Sequence, residues 1–258
     1  MTIQRTVAAA VLLLTILFIS GCGDTEKQET GKQRLELTVL CGSSFVQPSN
    51  ELIERFKAIH DVDIAISSAG SEDFLPQVKI GSVGDILITH DPYLDYVKDA
   101  NAYLDQATVG FVAPVLAVAP GNPKGIHSIE DLGKEGLRVG LTDPKYSTCG
   151  EMVFALLDKK GIRDAVLKNV GNRLTKGHGD LGILMQTGAV DAVIMWNGVA
   201  HNYLEHLEIV PVPYEYDTDI QVHVIGLNYS KHPELTESFI AFAKENAKSI
   251  YASYGYVK

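Results

Sequence analysis

Two serines stand where strand-like runs give way to helical ones. Ser44 follows Leu35-Glu36-Leu37-Thr38-Val39-Leu40 across the turn Cys41-Gly42-Ser43, and Ser71 follows Val62-Asp63-Ile64-Ala65-Ile66 across Ser67-Ser68-Ala69-Gly70. A hydroxyl at such an entrance caps the helix, worth about 1 kcal/mol, and Ser44 with Gln47 makes a capping-box pattern. The same position faces any ligand seated at the carboxyl ends of the strands, and ligand contact is the expected role. Cys41, His90, Cys149 and His178 fall in or near expected strand-end loops. Two thiols and two imidazoles are donors for a soft metal or a trivalent metalloid. No Cys-x-x-Cys spacing accompanies them, and buried thiols with satisfied loop histidines would leave the same pattern. A Cys41–Cys149 disulfide is a third option. Glu72, Asp73 and Glu151 sit at helix starts, where acids complement the dipole. Turned into a cleft they would oppose an anion, unless a protonated carboxyl donates to it. Trp196 ends an apolar run with Asn197 behind it, the place of a cleft wall. No Gly-x-Ser-x-Gly elbow, phosphate loop or His-Glu-x-x-His is present, and the Ser, His and Asp residues form no triad pattern. These residues point to binding, not to an enzyme.

The elements that must position them alternate strand, turn and helix. Leu52, Ile53, Phe56 and Ile59 recur at helical spacing after Ser44, and Gly84-Asp85-Ile86-Leu87-Ile88 is a further strand. The pattern restarts after Phe111–Val118 with Leu137–Leu141, a loop from Thr142 to Gly150, a helix carrying Met152, Ala155 and Leu156, and the strand that ends in Trp196. Ile220–Leu227 reads as a strand returning to the first unit, and Phe239, Phe242, Ala243, Ala247 and Ile250 suit a closing helix. The expected fold is α/β, with one unit nested in another and each a mostly parallel sheet flanked by helices. Ligands bind such sheets at the strand carboxyl ends. Helix N-termini there offer unpaired N–H groups and positive partial charge, which suits an oxyanion.

Composition bounds the partners. With 46% hydrophobic and 21% charged residues the 258-residue chain is an ordinary globular one, and its net charge of −10 without a basic stripe excludes nucleic acid. Near the N-terminus, Arg5 precedes an apolar run from Val7 to Ile19, shorter than the ~20 residues of a membrane span. Ile19-Ser20-Gly21-Cys22 resembles the lipobox of bacterial lipoproteins. Residues 1–21 are expected to be a lipoprotein signal peptide and 22–34 a polar tether lipidated at Cys22, with enough acyl chain for stable anchoring.

The order of Gly42-Ser43-Ser44, Ala69-Gly70-Ser71, Gly84–Ile88, Asp131-Leu132, Asp143-Pro144, Cys149-Gly150, Gly188–Ala192 and Tyr254-Gly255-Tyr256 resembles the type II periplasmic binding proteins, most nearly their molybdate-binding family. Ser44-Phe45-Val46-Gln47-Pro48 resembles phosphate-binding proteins instead. The resemblance implies a two-lobed clamp with a hinge cleft, without cofactor. Lobe I would span 35–110 and 226–258, and lobe II 111–225. It implies a monomeric, lipid-anchored receptor at the periplasm or cell surface. That receptor would deliver a small oxyanion, molybdate or tungstate in type, to an ABC transporter permease. A phosphate-like anion, or a soft metal or metalloid held by Cys41, His90, Cys149 and His178, is the alternative cargo, and a sensor the alternative role. Carried over by position, the ligand residues are Ser44, Ser71, Cys149, His178 and Trp196. Cys149 and His178 would donate through the backbone, and Trp196 replaces a tyrosine hydroxyl with one N–H. Cys41, Ser43, His90, Glu151 and Asn197 are further cleft candidates.

Overall fold

The computed structural model describes residues 34–212 and 219–257. The expected signal peptide, Cys22 and all of the tether but Arg34 lie outside the described residues. Among the described residues no helix is long and apolar enough to cross a membrane.

The chain enters along β1 (Leu35–Gly42), whose buried Leu37, Val39 and Cys41 alternate onto one face. A 3-10 turn (Ser43–Phe45) leads into α1 (Val46–Lys57). The capping box expected of Ser44 and Gln47 does not form, because the 3-10 turn places Phe45 at the start of α1, and neither segment has a side-chain cap. Then follow β2 (Val62–Ala69), α2 (Ser71–Ile80), β3 (Ile86–His90), α3 (Tyr93–Asp99) and β4 (Tyr103–Val112). Ala113 separates β4 from β5 (Pro114–Val118), and β6 (Val139–Thr142), α4 (Thr148–Lys159), α5 (Arg163–Val170), β7 (Leu174–Thr175), α6 (His178–Gln186), β8 (Ala192–Trp196), α7 (Asn197–His201) and β9 (Glu208–Ile209) come next. The chain ends with β10 (Ile220–Leu227) and α8 (Pro233–Ser253).

Two five-stranded sheets result, ordered β2-β1-β3-β10-β4 and β7-β6-β8-β5-β9. In the first, β1 runs parallel to β2 and β3, while β10 is antiparallel to β3 and β4. In the second, β6 runs parallel to β7 and β8, while β5 is antiparallel to β8 and β9. The sheets are therefore mixed rather than mostly parallel. The two parallel pairings of each come from strand–helix–strand repeats, and the antiparallel ones from strands that enter or leave at the crossovers. All of β10 pairs within the first sheet, so the division expected after Ile225 falls inside that strand.

Packing explains why the strand ends are held firmly. Phe56 stands edge-on to Phe239 and Phe242 of α8, at 4.9 and 5.5 Å between centroids. The tail after α8 folds back, and the Tyr256 hydroxyl donates to the Ser44 carbonyl. Cys41, Ser49 and Tyr251 form a buried chain beneath the same turn, with Ser49 Oγ 2.6 Å from the Phe45 carbonyl and 2.8 Å from Tyr251 Oη.

Candidate functional site

Strand carboxyl ends and helix starts from both sheets enclose one small space of about 40 Å3. From the first sheet come the turn Gly42–Phe45, the α2 entrance Gly70–Glu72, and His90 at the end of β3. From the second come Tyr146–Thr148, Lys176–His178, and Trp196 at the end of β8. The first N–H groups of a helix lack intrahelical partners. The 3-10 turn, α1 and α6 use no side-chain cap to satisfy them, and at α2 the Asp73 carboxylate takes only the N-cap N–H of Gly70, at 3.2 Å. At α4, Ser147 Oγ accepts only from Gly150 N, at 3.3 Å. The space is thus ringed by helix starts and hydroxyls.

Two polar contacts join its walls. Tyr93 Oη lies 3.3 Å from Thr148 Oγ1, and Lys176 Nζ donates to Asp73 Oδ2 at 3.1 Å. Burial pushes the Tyr93 phenol up, with Thr148 opposing. The rings of His90 and His178 both pack on Trp196, at 5.7 and 5.5 Å.

Both histidines are neutral. Burial pushes His90 down to about 4 and His178 to about 3. His90 Nδ1 lies 2.6 Å from the Asp91 carbonyl, which only accepts, so that nitrogen carries the proton and Nε2 is an acceptor. His178 Nδ1 accepts from Trp196 N at 3.4 Å, so its proton is on Nε2. The space therefore holds an acceptor imidazole and a donor imidazole, without a histidine cation.

Of the expected ligand residues, the structure brings together Ser44, Ser71, His178 and Trp196, with Ser43 and His90 beside them. Cys149 is one residue behind the lining, its thiol in the core and pushed up by burial, and Thr148 takes the exposed place. Cys41 likewise points into the interior, where burial lifts its thiol to about 12 with Ser49 opposing. Both cysteines are free, so no disulfide bridges the sheets. The proposed metal set of Cys41, His90, Cys149 and His178 is corrected too. Both thiols are turned into the core, and no cluster of three or more His, Cys, Asp or Glu suited to a metal occurs among the described residues. Glu151 is an exposed first-turn acid outside the lining. Asn197 is not a cleft residue. Its amide binds the carbonyls of Phe111, Gly255 and Val257 and the N–H of Ala113, tying the β4–β5 crossover to the C-terminal tail.

Sequence reasoning missed Tyr93, Thr148 and Lys176. Ser147-Thr148 carries the same hydroxyl-at-helix-entry signal as Ser44 and Ser71. Lys176 had none, because β7 is only two residues long. A larger hollow of about 380 Å3 lies at the other end of β1 and β3. Of its two carboxylates, Glu36 is exposed, and Asp85 is already bound by Thr38 N at 2.7 Å and Ser230 Oγ at 2.6 Å.

The chain is similar to known proteins over most of this body. A molybdate-binding protein of Mycobacterium tuberculosis is 26% identical over 163 residues, which cover 60% of this chain and 62% of that one. The periplasmic molybdate-binding protein of Azotobacter vinelandii superposes with a TM-score of 0.68 at 18% identity, over 86% of this chain and 99% of that one. The sulfate-binding protein of Mycobacterium tuberculosis does so at 0.69 and 18%, over 86% of each chain. At these identities the two structures share the fold. The family model of bacterial extracellular solute-binding proteins matches residues 37–257, and the chain belongs to that family.

Proposed function

We propose that this protein is the capture component of an ABC uptake system in the periplasm or at the cell surface. Its two lobes would close on a small tetrahedral oxyanion, with molybdate and tungstate the first candidates. One observation carries the reading: helix starts and hydroxyls from both sheets surround a single space in which both histidines are neutral. N–H and O–H dipoles replace the water around an anion, and the helix starts add positive partial charge. The molybdate-binding and sulfate-binding relatives support an oxyanion of this size. Lipid attachment at Cys22 would keep the receptor near its permease.

The test is titration calorimetry with molybdate, tungstate, sulfate and hydrogen phosphate. Ser44→Ala and Ser71→Ala should each weaken the bound anion by about 1.5–3 kcal/mol, the value of a hydrogen bond to a charged group. Unchanged affinity in both variants would remove the site from consideration.

A further inference from the structure

Glu72 stands beside Ser71 at the start of α2 and lines the cleft. Its Oε1 is buried and has no hydrogen-bond partner. The carboxyl is tucked over Gly70, where an added Cβ would stand 2.5 Å from Oε1 and 2.9 Å from Cδ. A buried acceptor without a donor is a destabilising arrangement that calls for an explanation.

The neighbouring groups do not supply one. Asp73, on the same helix, is engaged by Lys176 Nζ at 3.1 Å and Gly70 N at 3.2 Å. Lys176, before α6, is the nearby cation, and its ammonium is turned to Asp73. Glu151 of α4 adds a second negative charge, and Tyr93 of α3 has its hydroxyl on Thr148. His90 and His178 are neutral. Burial pushes the Glu72 carboxyl up; its own backbone N–H and Lys176 oppose this, and Asp73 and Glu151 reinforce it.

An anion beside this oxygen meets a like charge unless a proton lies between them. A proton there makes an O–H···O bond to a charged partner, one of the stronger hydrogen bonds available. Its source depends on the ligand. Hydrogen phosphate or hydrogen arsenate brings its own and donates it to the carboxylate. Molybdate or sulfate carries none at neutral pH, so Glu72 takes one from solution and donates it. His90, with its bare Nε2, is a second acceptor lining the same space.

We propose that capture in this cleft is proton-coupled: the oxyanion binds together with one proton, shared between Glu72 Oε1 and a ligand oxygen. The inference rests on the oxyanion reading and deepens it. Molybdate is then held with a proton taken from solution, so its capture weakens as pH rises, whereas hydrogen phosphate brings the proton with it.

Titration calorimetry on the full chain at pH 8, in buffers of different ionisation heat, tests this with molybdate and hydrogen phosphate. Molybdate should take up about one proton per site and hydrogen phosphate none. Molybdate affinity should fall about tenfold per pH unit above the Glu72 titration, the slope for one linked proton. Glu72→Gln supplies an N–H donor and should bind molybdate without proton uptake and with a flat pH profile. Gly70→Ala, which displaces the carboxyl but keeps its charge, should also lose the uptake. Capture of hydrogen phosphate with exclusion of molybdate, relieved in Glu72→Gln, is the same result in its limiting form. Molybdate bound by the unaltered chain without proton uptake, or with uptake unchanged in Glu72→Gln, overturns the inference and leaves the oxyanion reading standing. Binding of neither anion at any pH overturns both.

Discussion

Lys176 Nζ lies 3.1 Å from Asp73 Oδ2, and this bond links the α6 entrance of the second sheet to the first turn of α2 in the first. The side chains are 58% and 42% exposed, so solvent screens the pair. It acts as a weak latch at the rim of the cleft. Exposed pairs of this kind contribute about 0.2–1 kcal/mol. Lys176→Met or Asp73→Asn should therefore weaken ligand binding by no more than about fivefold. The difference from the unaltered chain should vanish in high salt. A loss of two orders of magnitude would instead make Lys176 a direct ligand contact.

Gly42 is needed for its lack of a side chain. A Cβ there would stand 2.6 Å from Ser71 Oγ and 3.1 Å from the Phe45 ring. The backbone itself, at φ −53° and ψ 130°, accepts any residue. Gly42→Ala should fold, lose about 1–3 kcal/mol of stability through overpacking, and lose at least tenfold in ligand affinity as the Ser71 hydroxyl is displaced. Adding Ser71→Ala should restore part of the stability and none of the affinity. Affinity preserved in Gly42→Ala would show that Ser71 does not touch the ligand.

The buried histidines predict acid lability. His90 and His178 have folded values of about 4 and 3, below the ordinary 6.5 of an unfolded chain. The unfolded state therefore binds more protons, and stability falls as pH falls. The loss should begin below pH 6.5, at about 1.4 kcal/mol per pH unit for each histidine, and continue towards pH 4. His223, also pushed down by burial against the pull of Asp91, adds to the slope in the same direction. Denaturant midpoints between pH 7.5 and 5 check this, and His178→Asn should flatten the curve. A midpoint independent of pH across that window would mean that the histidines take up protons in the folded state as readily as in the unfolded chain.

Much of this site was legible in the chain because its logic is local. Ser44 and Ser71 were visible where a β period of two changes to a helical period, and Trp196 where an apolar strand ends. Other signals were partial. Cys149 sits in the first turn of α4, where its expected role was a backbone N–H, but its thiol turns into the core and Thr148 supplies the side chain at the lining. Asn197 follows Trp196 directly, yet tertiary contacts with Phe111, Gly255 and Val257 claim its amide. Glu72 read as an ordinary first-turn acid, since only the packing over Gly70 reveals an orphaned oxygen. β4 was not foreseen as a full strand, because its partner β10 lies more than a hundred residues away and pattern alone carries no register.

The far ends of the strands should behave independently of the cleft. Asp191, just before β8, is buried and accepts from Arg138 N at 2.9 Å, Nη2 at 2.7 Å and Nε at 3.3 Å, while Arg138 Nη1 reaches the Gly188 carbonyl at 2.8 Å. The pair closes the starts of β6 and β8, and Trp196 is at the opposite end of β8, about 16 Å away at ~3.3 Å per residue. Asp191→Ala removes charge-assisted bonds in a largely buried place and should cost about 2–3 kcal/mol of unfolding free energy. Ligand affinity of the folded fraction should stay within about twofold, since sites this far apart without shared partners are additive. Calorimetric titration beside a denaturant melt separates the two quantities. A large affinity loss at little stability cost would mean that β8 transmits strain from Asp191 to Trp196.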